Sequence, residues 1–319
     1  MRRRPAQLAA LVLTLGSAST WSAPSEAGPV AGCRVFPADN WWHADVSGLP
    51  VHERSGQWLS HMSTHVDLHP DFGPSYGDGP NYGIPVTVVR GDHPKVRVRF
   101  RWYGDESDRV RYPFGKDTRI EGGRNSGGDM HAIVVDKDRC KLYETYSTLY
   151  RNGRWSAGSG AVWSLRSNSL RPDGWTSADA AGLPILPGLL RWREVKNGRV
   201  DHAIRFTTDV TSDHHLWPAR HHAGSTSSWA YPPMGARFRL SPSFSSAGYS
   251  TYAKTVIAAM KKYGLVLADN GSPWYFQGEQ NRNWPPAFVE ELKTIPASAF
   301  VAVDTSSLQV SPDSAAVGD

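Results

Sequence analysis

Val96-Arg97-Val98-Arg99-Phe100-Arg101-Trp102 alternates an apolar side chain with an arginine through seven residues. Period two marks a strand with one buried and one solvated face. Val96, Val98, Phe100 and Trp102 are therefore predicted to point inward, with the arginines on the solvated side. Around this stretch the residues at 131–135, 141–150, 160–165, 200–207 and 236–240 also read as strands. Turn signals separate them, at Asp136-Lys-Asp138, Arg151-Asn-Gly153 and Asn197-Gly198. One segment, 249–263, has clear helical spacing, with Tyr252, Val256, Ala259, Met260 and Tyr263 on one face and Gly264 as the stop. Shorter helices are predicted at 57–65 and 286–293, while Pro184 and Pro187 break any long helix within 179–190. Many short strands with one long helix predict a mainly β chain, a β-sandwich of jelly-roll type with one long C-terminal helix and extensive loops.

The chain opens Met1-Arg2-Arg3-Arg4-Pro5, continues apolar from Leu8 to Leu15 and turns to small residues at 16–19. That order is the pattern of a secretory signal. The expected division is a leader over 1–27, with cleavage after Ala18 or Ala27, one secreted β-rich domain over 28–308, and a frayed tail over 309–319. The apolar run is too short to span a bilayer, so no stable membrane insertion is expected once the leader is gone. Lys and Arg number 35 against 30 Asp and Glu, a formal charge of +5, and removing Arg2, Arg3 and Arg4 leaves about +2. Such a balance argues against nucleic acid as a partner. Cys33 and Cys140 are the only two cysteines. In an exported protein an even pair is expected to form a disulfide.

Polar residues of chemical interest gather in Ile120-Glu121-Gly-Gly-Arg124-Asn-Ser-Gly-Gly-Asp129-Met-His131. In a regular strand Asp129 and His131 would share a face, as an acid–base pair or as substrate clamps. The plainer alternative is a loop-capping Asp and a hydrogen-bonded core His. A hairpin about Asp136-Lys-Asp138 would set Asp129 opposite Thr145 and His131 opposite Tyr143, with Glu144 pointing the other way. Asp201-His202 and the run Asp213-His214-His215-Leu-Trp217-Pro-Ala-Arg220-His221-His222 are two further groups. The histidine run matches neither His-Glu-x-x-His nor a cysteine-containing metal motif, and no metal is expected. Trp217 offers a sugar-stacking surface, Arg220 a carboxylate clamp and His221 a proton carrier. Asp179 is a turn-cap or cleft residue, and Asp269-Asn-Gly271 reads mostly as a turn signal, though an acid at a strand end near Trp274 could reach a cleft. There is no Walker loop, dinucleotide fingerprint or nucleophile elbow around Ser159, so no cofactor is expected.

The stretches Asp45-Val-Ser-Gly-Leu-Pro-Val51, Gly127-Gly-Asp-Met-His131, Gly174-Trp-Thr-Ser-Ala-Asp-Ala-Ala-Gly182, Trp217-Pro-Ala-Arg-His221 and Pro233-Met-Gly-Ala-Arg-Phe-Arg-Leu240 resemble a widespread group of secreted actinobacterial-type proteins. The resemblance implies export and brings no catalytic assignment with it. With 13 Trp, 12 Tyr and 10 Phe, the rings exceed what a saccharide cleft needs, and most are expected to fill the core. The functional expectation is an extracellular carbohydrate-active enzyme, acting as a monomer on a polysaccharide or cell-wall glycan. Hydrolysis would use two of Glu121, Asp129, Glu144 and Asp179. β-Elimination would use His131 or Tyr143 as base, with Arg124 or Arg220 on a uronate carboxylate. His202, His221, Trp217 and Trp274 complete the candidate set. A noncatalytic carbohydrate-binding protein is the alternative.

Overall fold

The computed structural model describes residues 29–75 and 79–318, so the expected leader lies outside the described residues. Strand makes up 28% of the chain and helix 15%, so the chain is mainly β. The strands form three mixed sheets in place of a jelly roll.

The largest sheet has six strands, in the order β1 (His69–Asp71), β13 (Tyr275–Gln277), β10 (Ile204–Thr208), β12 (Leu265–Asn270), β11 (Arg237–Leu240) and β14 (Phe300–Val303). A middle sheet runs β2 (Val86–Val89), β5 (Ala132–Asp136), β6 (Lys141–Tyr146), β9 (Ser159–Ser164). A third, with shorter strands, runs β4 (Arg111–Tyr112), β3 (Val96–Phe100), β8 (Arg154–Ala157), β7 (Leu149–Arg151). Parallel pairs occur in every sheet: β10 with β12, β1 with β13, β2 with β5 and β3 with β8. A jelly roll is built from antiparallel strands in two sheets, so the topology departs from that expectation.

Layering explains the sequence textures. The middle sheet turns Ile133, Val135, Leu142, Ala161 and Trp163 to the main core, which it shares with the six-stranded sheet. Its other face, with Ala132, Val134 and Tyr143, meets Val96, Val98, Phe100 and Trp155 of the small sheet. Strand β5 is buried on both faces, which is why its sequence is continuously apolar instead of alternating. Strand β3 covers the outside and keeps its alternation, with the apolar residues half-buried and Arg97 and Arg99 exposed.

Helix α3 (Thr251–Lys262) forms where its spacing predicted. The Ser250 hydroxyl accepts from the Ala253 amide, and Gly264, at φ +74°, ends the helix without a Cβ clash. Ala253, Val256, Ile257 and Met260 are buried. The chain then continues through β12, β13, α4 (Pro286–Leu292) and β14, so a single long C-terminal helix is not the form it takes. The helix predicted at 57–65 is α1 (Ser55–Ser60), and α2 (Trp192–Lys196) was not foreseen. No described helix is long and apolar enough to cross a membrane.

Two local readings are corrected. The β5–β6 hairpin pairs Ala132 with Thr145, Ile133 with Glu144 and Val134 with Tyr143, three residues along from the expected register. Residues 137–140 all belong to the connection, and Cys140 adopts φ +49°. A shift by an odd number exchanges the faces, so Glu144 faces the main core and Tyr143 the inner one. Residues 309–318 are also tied down, not frayed. Bridges join Asn40 to Ala316, Ser169 to Ser314 and Gln309 to Val317, and Ala315 is buried. Cys33 and Cys140 are disulfide-bonded, with their Cα atoms 5.4 Å apart.

Candidate functional site

Where the three sheets meet, an open depression of about 240 Å³ is lined by Asp129, Asp179, Asp269, Tyr103, Tyr146 and His221, among others. Asp269 and Asn270 end strand β12, Tyr146 ends β6, and Asp129 precedes β5. The ends of several strands thus supply the polar groups.

One wall is the loop 176–180. Arg171 fixes it, donating from Nε to the Thr176 carbonyl at 2.9 Å and from Nη1 to Asp108 at 2.5 Å. The Thr176 amide in turn donates to Glu106 at 2.9 Å. Asp179, held in this loop, is buried and accepts two bonds from Arg205, at 3.0 Å from Nε and 2.6 Å from Nη2. Such a two-pronged pair lets a buried arginine keep its charge. Burial works against the Arg205 charge, but Asp179, then Asp269 and Glu121, outweigh it and raise its pKa.

Asp269 is the group in the depression whose acidity is most changed. Its side chain keeps 24% exposure and lies 3.7 Å from Arg205 Nη2. Burial, and next the nearby charge of Asp179, push its carboxyl up to about 7 in spite of Arg205 and His131. Asp129, by contrast, is exposed at the rim. Met130, at φ +48°, turns the backbone between Asp129 and His131, and β5 begins only at Ala132. The two therefore part company, contrary to the shared face expected from period two.

His131 sits behind the depression. Its Nδ1 is 2.7 Å from Glu121 Oε2, its backbone amide donates to the same oxygen at 3.2 Å, and Nε2 is 3.2 Å from the Ala178 carbonyl. Both ring nitrogens face acceptors, as an imidazolium requires. Burial would lower its pKa, yet the charge and hydrogen bond of Glu121, followed by Asp129, raise it to about 9. Burial raises the Glu121 carboxyl, and the charge and bonds of His131 more than reverse that, leaving it lowered. His221 donates from Nδ1 to the Ala180 carbonyl at 2.8 Å and lies at the edge of the opening, its Nε2 3.8 Å from Glu106.

The other sequence candidates lie elsewhere. Glu144 is wholly buried and accepts from the Ile185 and Leu186 amides, both at 2.8 Å. Burial pushes its carboxyl up to about 7 against those two bonds. Tyr143 accepts from Lys95 Nζ at 2.9 Å on the inner core side. His202 is buried between the Ala203 carbonyl and Glu194. Arg220 donates to the Pro312 carbonyl and to Asp313, and Trp217 Nε1 to the Ser314 carbonyl, so both hold the C-terminal segment. Trp274 is buried, with Nε1 bonded to the Met62 carbonyl. Arg124 belongs to a groove on the small sheet. His214 stacks on Trp229 and His215 pairs with Asp173. No three metal-ligating side chains converge among the described residues.

Of the sequence candidates the depression gathers Asp129, Asp179 and His221, with His131 and Glu121 behind it. The residues suggested for elimination, His131 or Tyr143 with Arg124 or Arg220, do not meet around one opening. Arg205, Tyr103 and Tyr146 had no assigned role in the sequence. For Arg205 a signal was there: a lone arginine between Ile204 and Phe206 interrupts an apolar strand, and such a charge requires a buried partner. Comparison with protein-family models, curated proteins and solved structures finds no match for the chain.

Proposed function

We propose that the protein is an exported, monomeric glycan hydrolase in which Asp269 is the proton donor and Asp129 the base or nucleophile. What carries this reading is one opening that holds a carboxyl raised to about 7 together with a second, solvent-facing carboxyl. Glycoside hydrolysis needs such an asymmetric pair. Asp269 delivers its proton to the glycosidic oxygen as the C–O bond breaks. Asp129 either takes a proton from the water that adds to the anomeric carbon or attacks that carbon itself, water then releasing the sugar. Asp179 and Arg205 are positioning residues: the charge of Asp179 favours the protonated form of Asp269, while Arg205 holds Asp179 in place and works in the opposite direction on Asp269. Tyr103, 41% exposed, offers a ring face to a sugar. The volume is slightly below the roughly 300–1,000 Å³ of small-molecule sites, which suits one unit of a polymer whose remainder lies outside. Export is supported by the leader pattern, by the disulfide and by the resemblance to secreted proteins.

The test is an assay of the purified chain against a panel of neutral and acidic polysaccharides, read as new reducing ends. Product should appear, and kcat/KM should decline as pH rises through about 7, where Asp269 loses its proton. Asp269→Asn and Asp129→Asn should each lower the rate by roughly 100-fold or more while the circular dichroism spectrum stays native. Products with unsaturated ends would replace hydrolysis by elimination. Glycan binding without any product, unaffected by either substitution, would establish the noncatalytic alternative instead.

A further inference from the structure

The outer face of the small sheet carries a charge pattern that solvation alone does not explain. Arg97 on β3 stands directly opposite Arg111 on β4, and Arg151 on β7 directly opposite Arg154 on β8. Like charges placed across from one another destabilise a sheet. Here Arg99 adds to the row, Arg124, Lys95 and Lys116 close its side, and the surface they border is an open groove of about 1070 Å³. No Asp or Glu lines this groove. Among the described residues none of these eight cations is ion-paired with a carboxylate. The formal charge of the whole chain, +5, gives no sign of this concentration.

A short stretch of chain also joins the groove to the depression. Immediately after β3, Arg101 donates to the Ser147 carbonyl and hydroxyl at 2.7 and 2.6 Å and lies 5.0 Å from the Trp102 ring. Tyr103 then lines the depression itself. Arg99 and Tyr103, four residues apart, are separated by at most about 14 Å, so one extended polymer can touch both.

We propose that this groove binds a uronate-bearing polysaccharide, its carboxylates held by the arginines of β3, β4, β7 and β8. The binding claim stands on the groove; that the same chain feeds a sugar into the depression rests on the glycan reading above. Guanidinium forks match carboxylates with two parallel bonds. Single-stranded nucleic acid, which also seeks basic grooves, requires free ring faces for its bases. Trp155 is only 6% exposed, and Tyr150, 43% exposed, packs against Trp155 at 4.8 Å with Arg124 lying over both rings. Bases would find no open stacking platform there.

Affinity electrophoresis of the full chain in gels containing polygalacturonate, alginate or hyaluronan tests the proposal, with carboxyl-reduced polymers and an oligothymidylate as comparisons. Retention by a uronate polymer is expected, lost on carboxyl reduction and weakened about tenfold or more by the double substitution Arg97→Gln, Arg99→Gln and by added salt. Both side chains are exposed, and an unchanged melting temperature of the variant confirms that it is folded. Equal retention in reduced polymer, tighter binding of the oligothymidylate, or full retention of the double variant would overturn it. Cleavage of a neutral glycan without uronate retention would remove the groove proposal and keep the hydrolase. Uronate retention by a protein that cleaves nothing would do the reverse.

Discussion

At the scale of single residues, the depression depends on charges that are individually buried and mutually compensated. Arg205 balances Asp179, and His131 balances Glu121, across a few ångströms. Removing one member leaves the other as an uncompensated buried charge. A pH prediction follows from His131, whose folded pKa is raised to about 9 from an ordinary 6.5. The folded state then holds the proton more tightly than the unfolded chain, so the stabilisation is complete below pH 6.5 and is lost as pH climbs through about 9. Urea unfolding across that window should show stability declining by about 1–3 kcal/mol, with the decline absent from His131→Gln. A flat profile in the parent protein would contradict the pairing. The raised carboxyls of Glu144 and Asp269 act in the same direction over a lower window, up to about 7. Sequence reading found Asp129, Asp179, His131 and Glu121 as polar residues in unusual settings. It left Asp269 as a turn signal with a possible reach to a cleft, because the acidity of a carboxyl is set by what surrounds it in space.

At the scale of elements, two sheets must approach closely enough to seal the inner core, and Gly160 on β9 permits it. A Cβ there would stand 2.6 Å from Phe100 Cε1 and 2.8 Å from the Tyr112 hydroxyl oxygen. Tyr112 is fully buried and cannot move aside without opening the core. Gly160→Ala is therefore expected to destabilise by about 1–3 kcal/mol, read as a lower urea midpoint with an unchanged slope; an unchanged midpoint would show that the two sheets are less tightly seated. Element prediction succeeded where the pattern is long or capped, as for β3 and α3. It failed for β1, β4, β8, β13 and β14, which are two to four residues long, too short to display a period. The hairpin register failed for another reason: the connection takes four residues, and the position of Cys140 in it is governed by its bond to Cys33.

At the scale of the whole molecule, the disulfide and the C-terminal segment fasten distant parts of the chain to one another. The Cys33–Cys140 bond closes a separation of 107 residues, and restricting so long a loop in the unfolded chain is worth up to about 4–5 kcal/mol in the entropy model. The double variant Cys33→Ser, Cys140→Ser should lose about 2–5 kcal/mol of stability by urea denaturation. Equal stability of the variant and the oxidised parent would show that the bond contributes nothing to folding. The chain by itself determined the dominance of β structure, the helix at α3 and the cysteine pairing, because periodicity, caps and an even cysteine count involve either near neighbours or simple arithmetic. Only the tertiary structure decided that Asp129, Asp179 and Asp269 share an opening and that eight cations border one groove. Those meetings are set by the positive φ at Met130, the register of β5 on β6 and the stacking of three sheets, and each joins residues whose separation along the chain exceeds the reach of any local pattern.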